Sequence, residues 1–326
     1  MNNYSTLQRF LHRSVLSSQF MREIMFDVEQ SIFLKKDDNF DDDHVFVTGL
    51  ARSGTTILLN AIYQSNRFAS LTYDDMPFIL TPNLWGKINR KSIGGEAKER
   101  AHGDGVKIYI NSPEAFEEVF WKTFGDDVKI REEFFIKFIS LILKKNNKAH
   151  YLSKNNQNIK RLALISKIFP RSKILIPFRD PLQQALSLFS QHIKFVQTQN
   201  EDTFVRDYMK WIGHSEFGLD YKMFHTTNLL YPNENEFNHW LEQWYLTYKS
   251  VFELSARHGE LYLIGYESLC GNPKVWVNVK DLLGINQEIK FLFKETEKVI
   301  EHTFDNNLSK KCYKLYESLV SKSFGI

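Results

Sequence analysis

VFVTGLARSGTTILLNAIY, Val45 to Tyr63, begins as a β-branched and aromatic run, turns polar at Thr48 and ends in an apolar helical pattern. Gly49 and Gly54 are separated by four residues, the frame of a phosphate-binding loop at the mouth of a helix. Thr55 occupies the place where a nucleotide triphosphatase carries lysine. A Gly-rich turn at a helix N-terminus aims several backbone N–H groups and the positive end of the helix dipole at an anion, whatever its identity. Without the lysine, and with no strand-end aspartate evident to hold Mg²⁺, tight handling of a β/γ-phosphate is not expected. Arg52, two positions before Gly54, brings a fixed cation to the same cradle, which suits metal-free transfer of a planar anionic group.

Outward from this unit, strands and helices alternate. FASLTY is a short strand, and a Pro-punctuated loop, DDMPFILTPNLW, and a Gly-rich polar stretch follow it. SPEAFEEVFW predicts a helix from Ser112, with an N-cap, a first-turn proline and early glutamates. AHYLSKNN reads as a strand ending in polar residues and NIKRLALISKIF as a helix. SKILIPFRD is a strand buried on both faces, and PLQQALSLFSQHI a helix with proline in its first turn. NHWLEQWYLTYKSVFELSARHG is a long helix stopped by Gly259, LYLIGYESL a last strand, and helices finish the chain. The alternation predicts a three-layer α/β/α fold with a central parallel sheet, in which ligands collect at the carboxyl ends of the strands. From about Gln197 to Asn238 the chain is aromatic and polar without a clear period, as a lid or acceptor-binding insertion would be. With no internal repeat or low-complexity linker, residues 1–326 are expected to form one domain.

The bulk composition is that of an ordinary globular chain: 326 residues, 43% hydrophobic and 25% charged. A net charge of +3 without a long single-sign block argues against a nucleic-acid partner and leaves room for a local basic pocket. Cys270 and Cys312 are isolated, so neither a disulfide framework nor a zinc site is expected, and a cytoplasmic location fits. No run of about 18 apolar residues predicts a transmembrane segment. In residues 1–43 the positions Leu7, Phe10, Leu11, Val15, Phe20 and Ile24 recur at roughly helical spacing, predicting a helical extension that lies on the domain, with membrane-surface binding as the second reading.

Two further strand ends carry polar candidates. Arg179 closes the buried strand of IPFRDPLQQALSLF, and Ser187 sits eight residues on, two turns into the following helix, so that both can grip one phosphate. Lys154 ends HYLSK. ARSGTTILLN followed by SKILIPFRDPLQQALSLF resembles the 5′-phosphosulfate loop and the 3′-phosphate motif of the sulfotransferases, which draw a sulfuryl group from 3′-phosphoadenosine 5′-phosphosulfate (PAPS). LYLIGYESLCGNPKVWVNVKDLLGI is similar to the Tyr-Glu strand and following helix of that family, and the likeness is nearest to its bacterial branch related to carbohydrate sulfotransferases. The resemblance implies that Arg52, Ser53, Gly54, Thr55 and Thr56 cradle the 5′-phosphosulfate of PAPS and that Arg179 and Ser187 clamp its 3′-phosphate. It also implies an acceptor hydroxyl, expected on a carbohydrate, and no metal.

Charge builds on the leaving oxygen in such a transfer, so Arg52 and Lys154 are the natural pair to oppose it. The acceptor must also lose a proton. In the cytosolic sulfotransferases a Lys-x-His at this strand end supplies lysine and base together, whereas this chain reads Lys154, Asn155, Asn156, which leaves Asn156 a substrate-binding candidate. Carbohydrate-type relatives resemble a scheme with a carboxylate beyond the first helix. That points to Asp75 in YDDMPF as the base, with Asp74 as its understudy and a substrate-binding candidate; a solvated turn or a helix cap before Met76-Pro77 is the plainer reading. His102, with Asp104 in AHGDG, is a second base candidate, and His192, His214 and Glu216 are candidates to reach the acceptor from the lid. Trp211, Phe217, Tyr221, Phe224, Trp240, Trp244 and Tyr245 offer apolar faces for a sugar ring, though Trp240 and Trp244, four apart, read better as core. The alternatives are a phosphotransferase with a degenerate loop, or an inactive nucleotide-binding protein of the same fold.

Overall fold

The computed structural model describes residues 5–35, 42–89, 98–99, 107–125, 128–289 and 291–325. The strands are β1 (Val45–Val47), β2 (Phe68–Ala69), β3 (Lys98–Glu99), β4 (Lys107–Ile108), β5 (His150–Lys154), β6 (Lys173–Phe178) and β7 (Leu261–Gly265). Five of them form an all-parallel sheet in the order β2-β5-β1-β6-β7, while β3 and β4 pair as a separate antiparallel ribbon. Val47 sits opposite both Lys154 and Leu175, so the loop after β1 starts level with the end of β5. The three-layer expectation holds: alternate residues of the sheet feed two cores. Val45, Val47, Leu152, Leu175 and Ile264 pack on one face, and Phe46, Tyr151, Ile174, Ile176 and Leu263 on the other, as a period-two strand buried on both sides requires.

The helices are α1 (Thr6–Leu16), α2 (Gln19–Phe33), α3 (Thr55–Tyr63), α4 (Pro82–Ile88), α5 (Glu118–Phe124), α6 (Val128–Asn146), α7 (Leu162–Ile168), α8 (Pro181–Glu201), α9 (Thr203–Trp211), α10 (Phe237–Ser255), α11 (Tyr266–Gly271), α12 (Pro273–Leu282) and α13 (Asn306–Ser321). Trp240 and Trp244 of α10 are buried in the core. Among the described residues no helix is long and apolar enough to cross a membrane.

Two local expectations change. The segment from Ser112 is not yet helical, because its backbone is spent on neighbours: Pro113 bridges Thr72, and the Glu114 N–H donates to the Leu71 carbonyl at 3.1 Å. The helix begins only at Glu118. At the N-terminus the periodic stripe is split: Leu7, Phe10, Phe20 and Ile24 are 75%, 66%, 69% and 40% exposed, whereas Val15 is buried and Leu11 packs against the core. The inward face carries Val15, Leu16 and Phe26 together with His12, Arg22 and Glu29. Arg22 and Glu29 are inside because each completes another element. Arg22 donates to Thr123 Oγ1 at 2.8 Å and to the Leu16 carbonyl. Glu29 accepts the first-turn N–H groups of Asn83 (2.6 Å) and Leu84 (3.1 Å) and so caps α4; burial raises the pKa of its carboxyl above the usual carboxylate value.

These faces differ in energy. Phe26→Ala, emptying a fully buried site, is expected to cost about 3–5 kcal/mol in urea unfolding, whereas Phe20→Ala stays within about 0.5 kcal/mol of the parent. Equal costs would show that the outward stripe is packed against something in the folded chain.

Candidate active site

The loop after β1 is shaped by two left-handed residues, Arg52 (φ 69°) and Gly54 (φ 97°), which curl successive N–H groups toward one side. At Gly54 the left-handed backbone and the lack of space coincide, since a Cβ there would lie 2.4 Å from Cδ2 of Tyr266. α3 then starts at Thr55 with no side-chain cap, leaving its first-turn N–H groups for an anion. Beneath the loop, Gln184 donates to the Ala51 carbonyl at 3.0 Å and accepts from Trp244 Nε1 at 3.0 Å, and the Tyr248 hydroxyl donates to the Pro177 carbonyl at 3.0 Å. Ser53 belongs to this underside. It is fully buried and its hydroxyl donates to the Leu50 carbonyl at 2.8 Å, so Ser53 can offer a ligand only its N–H.

Above the loop lies a cleft lined by Ala51, Arg52, Thr55, Thr56, Lys154 and Asn156 on one side and by Met209, His214, Glu216 and Phe217 on the other. Its cavity volume is about 40 Å³, room for a few water-sized groups. Asn156 ties the strand end to the loop, its amide oxygen accepting from the Thr55 hydroxyl and its carbonyl from the Thr48 hydroxyl, both at 3.3 Å. Of the residues singled out in the sequence, Arg52, Thr55, Thr56, Lys154, Asn156, His214 and Glu216 therefore meet. Met209 was missed, because nothing in its own segment distinguishes it from a helix core residue.

Arg179 and Ser187 have separate partners. Arg52 Nε donates to Ser187 Oγ at 2.9 Å, which leaves the serine proton to donate elsewhere. Arg179 stacks over Tyr266 at 5.6 Å, lies 3.8 Å from the Glu267 carboxylate and donates through Nη2 to the Thr296 carbonyl, while its buried Nε has no hydrogen-bond partner. Burial raises the Glu267 carboxyl pKa above the usual range, opposed by the hydrogen bond from the Asp180 N–H. The chain around Thr296 crosses over this corner: Lys294 accepts from the Tyr266 hydroxyl at 2.9 Å, and Lys298 exchanges two 2.9 Å bonds with the Gln183 amide.

The carboxylate expectation fails on geometry. Asp75 is 2% exposed and does not line the cleft. One oxygen accepts from the N–H and hydroxyl of Thr72 at 2.8 and 3.1 Å, closing a short helical turn at Tyr73–Asp75, and the other lies 2.5 Å from Lys145 Nζ. It is a structural cap and ion pair, not a group within reach of an acceptor. Asp74 is also away from the cleft, supporting α4 through a 2.8 Å bond from Trp85 Nε1 to its carbonyl and a 3.2 Å bond from Asn89 to its carboxylate. His192 is buried between Tyr221 and Trp240, at ring distances of 5.5 and 5.3 Å, and burial lowers its pKa; it too is off the cleft. His102 and Asp104 lie outside the described residues. Among the described residues, no group of three His, Cys, Asp or Glu side chains gathers as a metal site.

Comparison with known proteins adds a family. A model of the sulfotransferase family matches residues 44–233, and no curated protein matches in sequence. Among solved structures, a sulfotransferase of Mycobacterium avium is 11% identical with a TM-score of 0.48, over 98% of this chain and 79% of that one. A sulfotransferase of Mycobacterium tuberculosis H37Rv is 12% identical with a TM-score of 0.48, over 99% and 87%. One from Alicyclobacillus acidocaldarius is 14% identical with a TM-score of 0.39, over 86% and 93%.

The role found for Asp75 is open to measurement. Asp75→Ala removes the cap and strands Lys145, so it is expected to cost about 3–5 kcal/mol of unfolding free energy. A variant as stable as the parent would contradict the structural role.

Proposed function

The chain belongs to the sulfotransferase family, and on that premise we propose that it moves a sulfuryl group from PAPS to an acceptor hydroxyl on a carbohydrate. The observation that carries the reading is the lysine-free loop itself: left-handed Arg52 and Gly54 at the uncapped start of α3, with Arg52 and Lys154 in one cleft. The residues present fit a donor with two phosphate positions. Gly54 makes a cradle that a Cβ would fill, and Arg179 keeps a buried Nε without a hydrogen-bond partner at the second position.

When bound, PAPS supplies an activated sulfuryl group whose bridging oxygen gains charge as it leaves. The N–H groups around Gly54 and the hydroxyls of Thr55 and Thr56 hold the phosphosulfate end. Arg52 and Lys154 oppose the growing charge, and Ser187, by accepting from Arg52 Nε, fixes where that guanidinium points. Arg179 takes the 3′-phosphate by exchanging the Thr296 carbonyl for it, with Ser187 donating its own proton to the same group. Carbohydrate as acceptor is supported by the far wall, where His214 and Glu216 stand beside the ring of Phe217, a mix of hydrogen-bonding groups and an apolar face that suits a sugar. We take residues 1–326 as one domain, with 1–43 as its helical extension and 197–238 as its acceptor-side insertion; the insertion is supported by its share of the cleft wall. A cytoplasmic location is supported by two free thiols, Cys270 and Cys312.

Calorimetry tests the donor. Adenosine 3′,5′-bisphosphate should bind in the presence of a chelator, and Arg179→Ala should weaken it at least about tenfold while hardly changing a nucleotide without the 3′-phosphate. Binding of ADP with Mg²⁺ alone would overturn the reading. Arg52→Ala should lower turnover by about 10²–10³ and nucleotide affinity far less; normal turnover with weakened binding would restrict Arg52 to ground-state binding.

A further inference from the structure

The proton acceptor can be sought among the groups that line the cleft. Lys154 is followed by two asparagines, whose amides take no proton, and Asp74 and Asp75 are engaged elsewhere. Among the described cleft residues only His214 and Glu216 can accept a proton from a hydroxyl.

His214 is set up for it. Its Nε2 lies 3.2 Å from the Ala115 carbonyl. A carbonyl only accepts, so Nε2 carries the hydrogen, and in the neutral ring Nδ1 keeps a lone pair. The carbonyl is itself held in place: the Ala115 N–H donates to one oxygen of Glu114 at 2.9 Å, and the other oxygen accepts from the Tyr73 hydroxyl at 2.9 Å. The turn that carries the imidazole is tied to the donor side. Gly213 (φ +76°) fits against Glu118, whose Cγ would lie 2.5 Å from a Cβ there. The Glu118 carboxylate is gripped by both terminal nitrogens of Arg161 at 2.7 and 2.8 Å and by the amide of Asn155, next to Lys154, at 2.8 Å. One side chain thus braces the strand end bearing Lys154 and the turn bearing His214. The His214 N–H to the Met209 carbonyl (2.9 Å) and the Lys222 N–H to the Ser215 carbonyl (2.8 Å) close that turn.

We propose that His214, through Nδ1, takes the proton of the acceptor hydroxyl, an assignment that rests on the sulfotransferase reading. As the acceptor oxygen bonds to sulfur, the S–O bond to the donor phosphate breaks and its electron pair leaves on adenosine 3′,5′-bisphosphate. The hydroxyl proton passes to neutral His214, which becomes imidazolium.

The test combines three readouts. In nitrogen NMR of the unmodified protein with labelled histidine, His214 should show the Nε2-protonated tautomer; an Nδ1-protonated ring would overturn the assignment. His214→Gln, whose amide N–H can still reach the Ala115 carbonyl, should lower transfer from PAPS to methyl glycosides by about 10²–10⁴, while adenosine 3′,5′-bisphosphate binds within about twofold of the parent. Near-normal transfer by His214→Gln would overturn the assignment. So would a loss shared with nucleotide binding, or a loss of that size in Glu216→Gln but not in His214→Gln. An unmodified protein that neither binds the nucleotide nor transfers would contradict the sulfotransferase reading itself, which distinguishes the two failures.

Discussion

The contact between the Tyr266 ring and the backbone of Gly54 is the constraint around which the rest is arranged. It brings the end of β7 against the loop after β1, leaves no volume for a side chain at Gly54 and holds the left-handed turn that aims N–H groups outward. The same ring receives Arg179 on its face and donates its hydroxyl to Lys294. A loop of this shape loses favourable backbone conformations for any residue but glycine, and the packed ring recovers part of that cost through burial. The loop after β1, Arg179 and the crossing segment near Thr296 are thus three sides of one contact.

Around it several buried polar groups are answered by networks of partners. Glu117, 1% exposed, accepts from Trp121 Nε1 at 3.0 Å, the Tyr151 hydroxyl at 3.1 Å and Asn158 Nδ2 at 2.6 Å. Glu118 joins Arg161, Asn155 and the turn at Gly213, and Gln184 links the loop to Trp244. Breaking one partner would leave a buried group unsatisfied, which costs more than the bond itself contributes. These networks give the cleft two rigid walls, one from the loop and the β5 end, the other from the turn after α9. The reacting groups need such fixed placement, because electrostatic stabilisation acts only where donors are already aimed.

The fold and the loop after β1 were legible because their signals are local. The β-loop-α unit, the buried strands and the loop arginine each declare themselves within about ten residues. The surroundings of the carboxylate and histidine candidates were not, because they are set by distant contacts. Asp75 is turned from a candidate base into a cap by Lys145, 70 residues away, and the tautomer of His214 is fixed by Ala115, 99 residues away. No spacing rule encodes either. The N-terminal helices misled for another reason: α2 is apolar on both faces, and Arg22 and Glu29 take the inward places that periodicity assigns to Phe20 and Ile24. Arg179 and Ser187 were legible as a strand end and a helix face. Their separate partners were not, since the segment near Thr296 joins them from more than a hundred residues on.

The central claim is that a phosphate loop without its lysine holds a phosphosulfate. It is tested most directly by following the ³⁵S of labelled PAPS onto a mixture of methyl glycosides in excess chelator. The account predicts label on sugar at a rate that the chelator leaves unchanged. Label that stays on the nucleotide, in a protein that instead moves the γ-phosphate of ATP when Mg²⁺ is supplied, would contradict it.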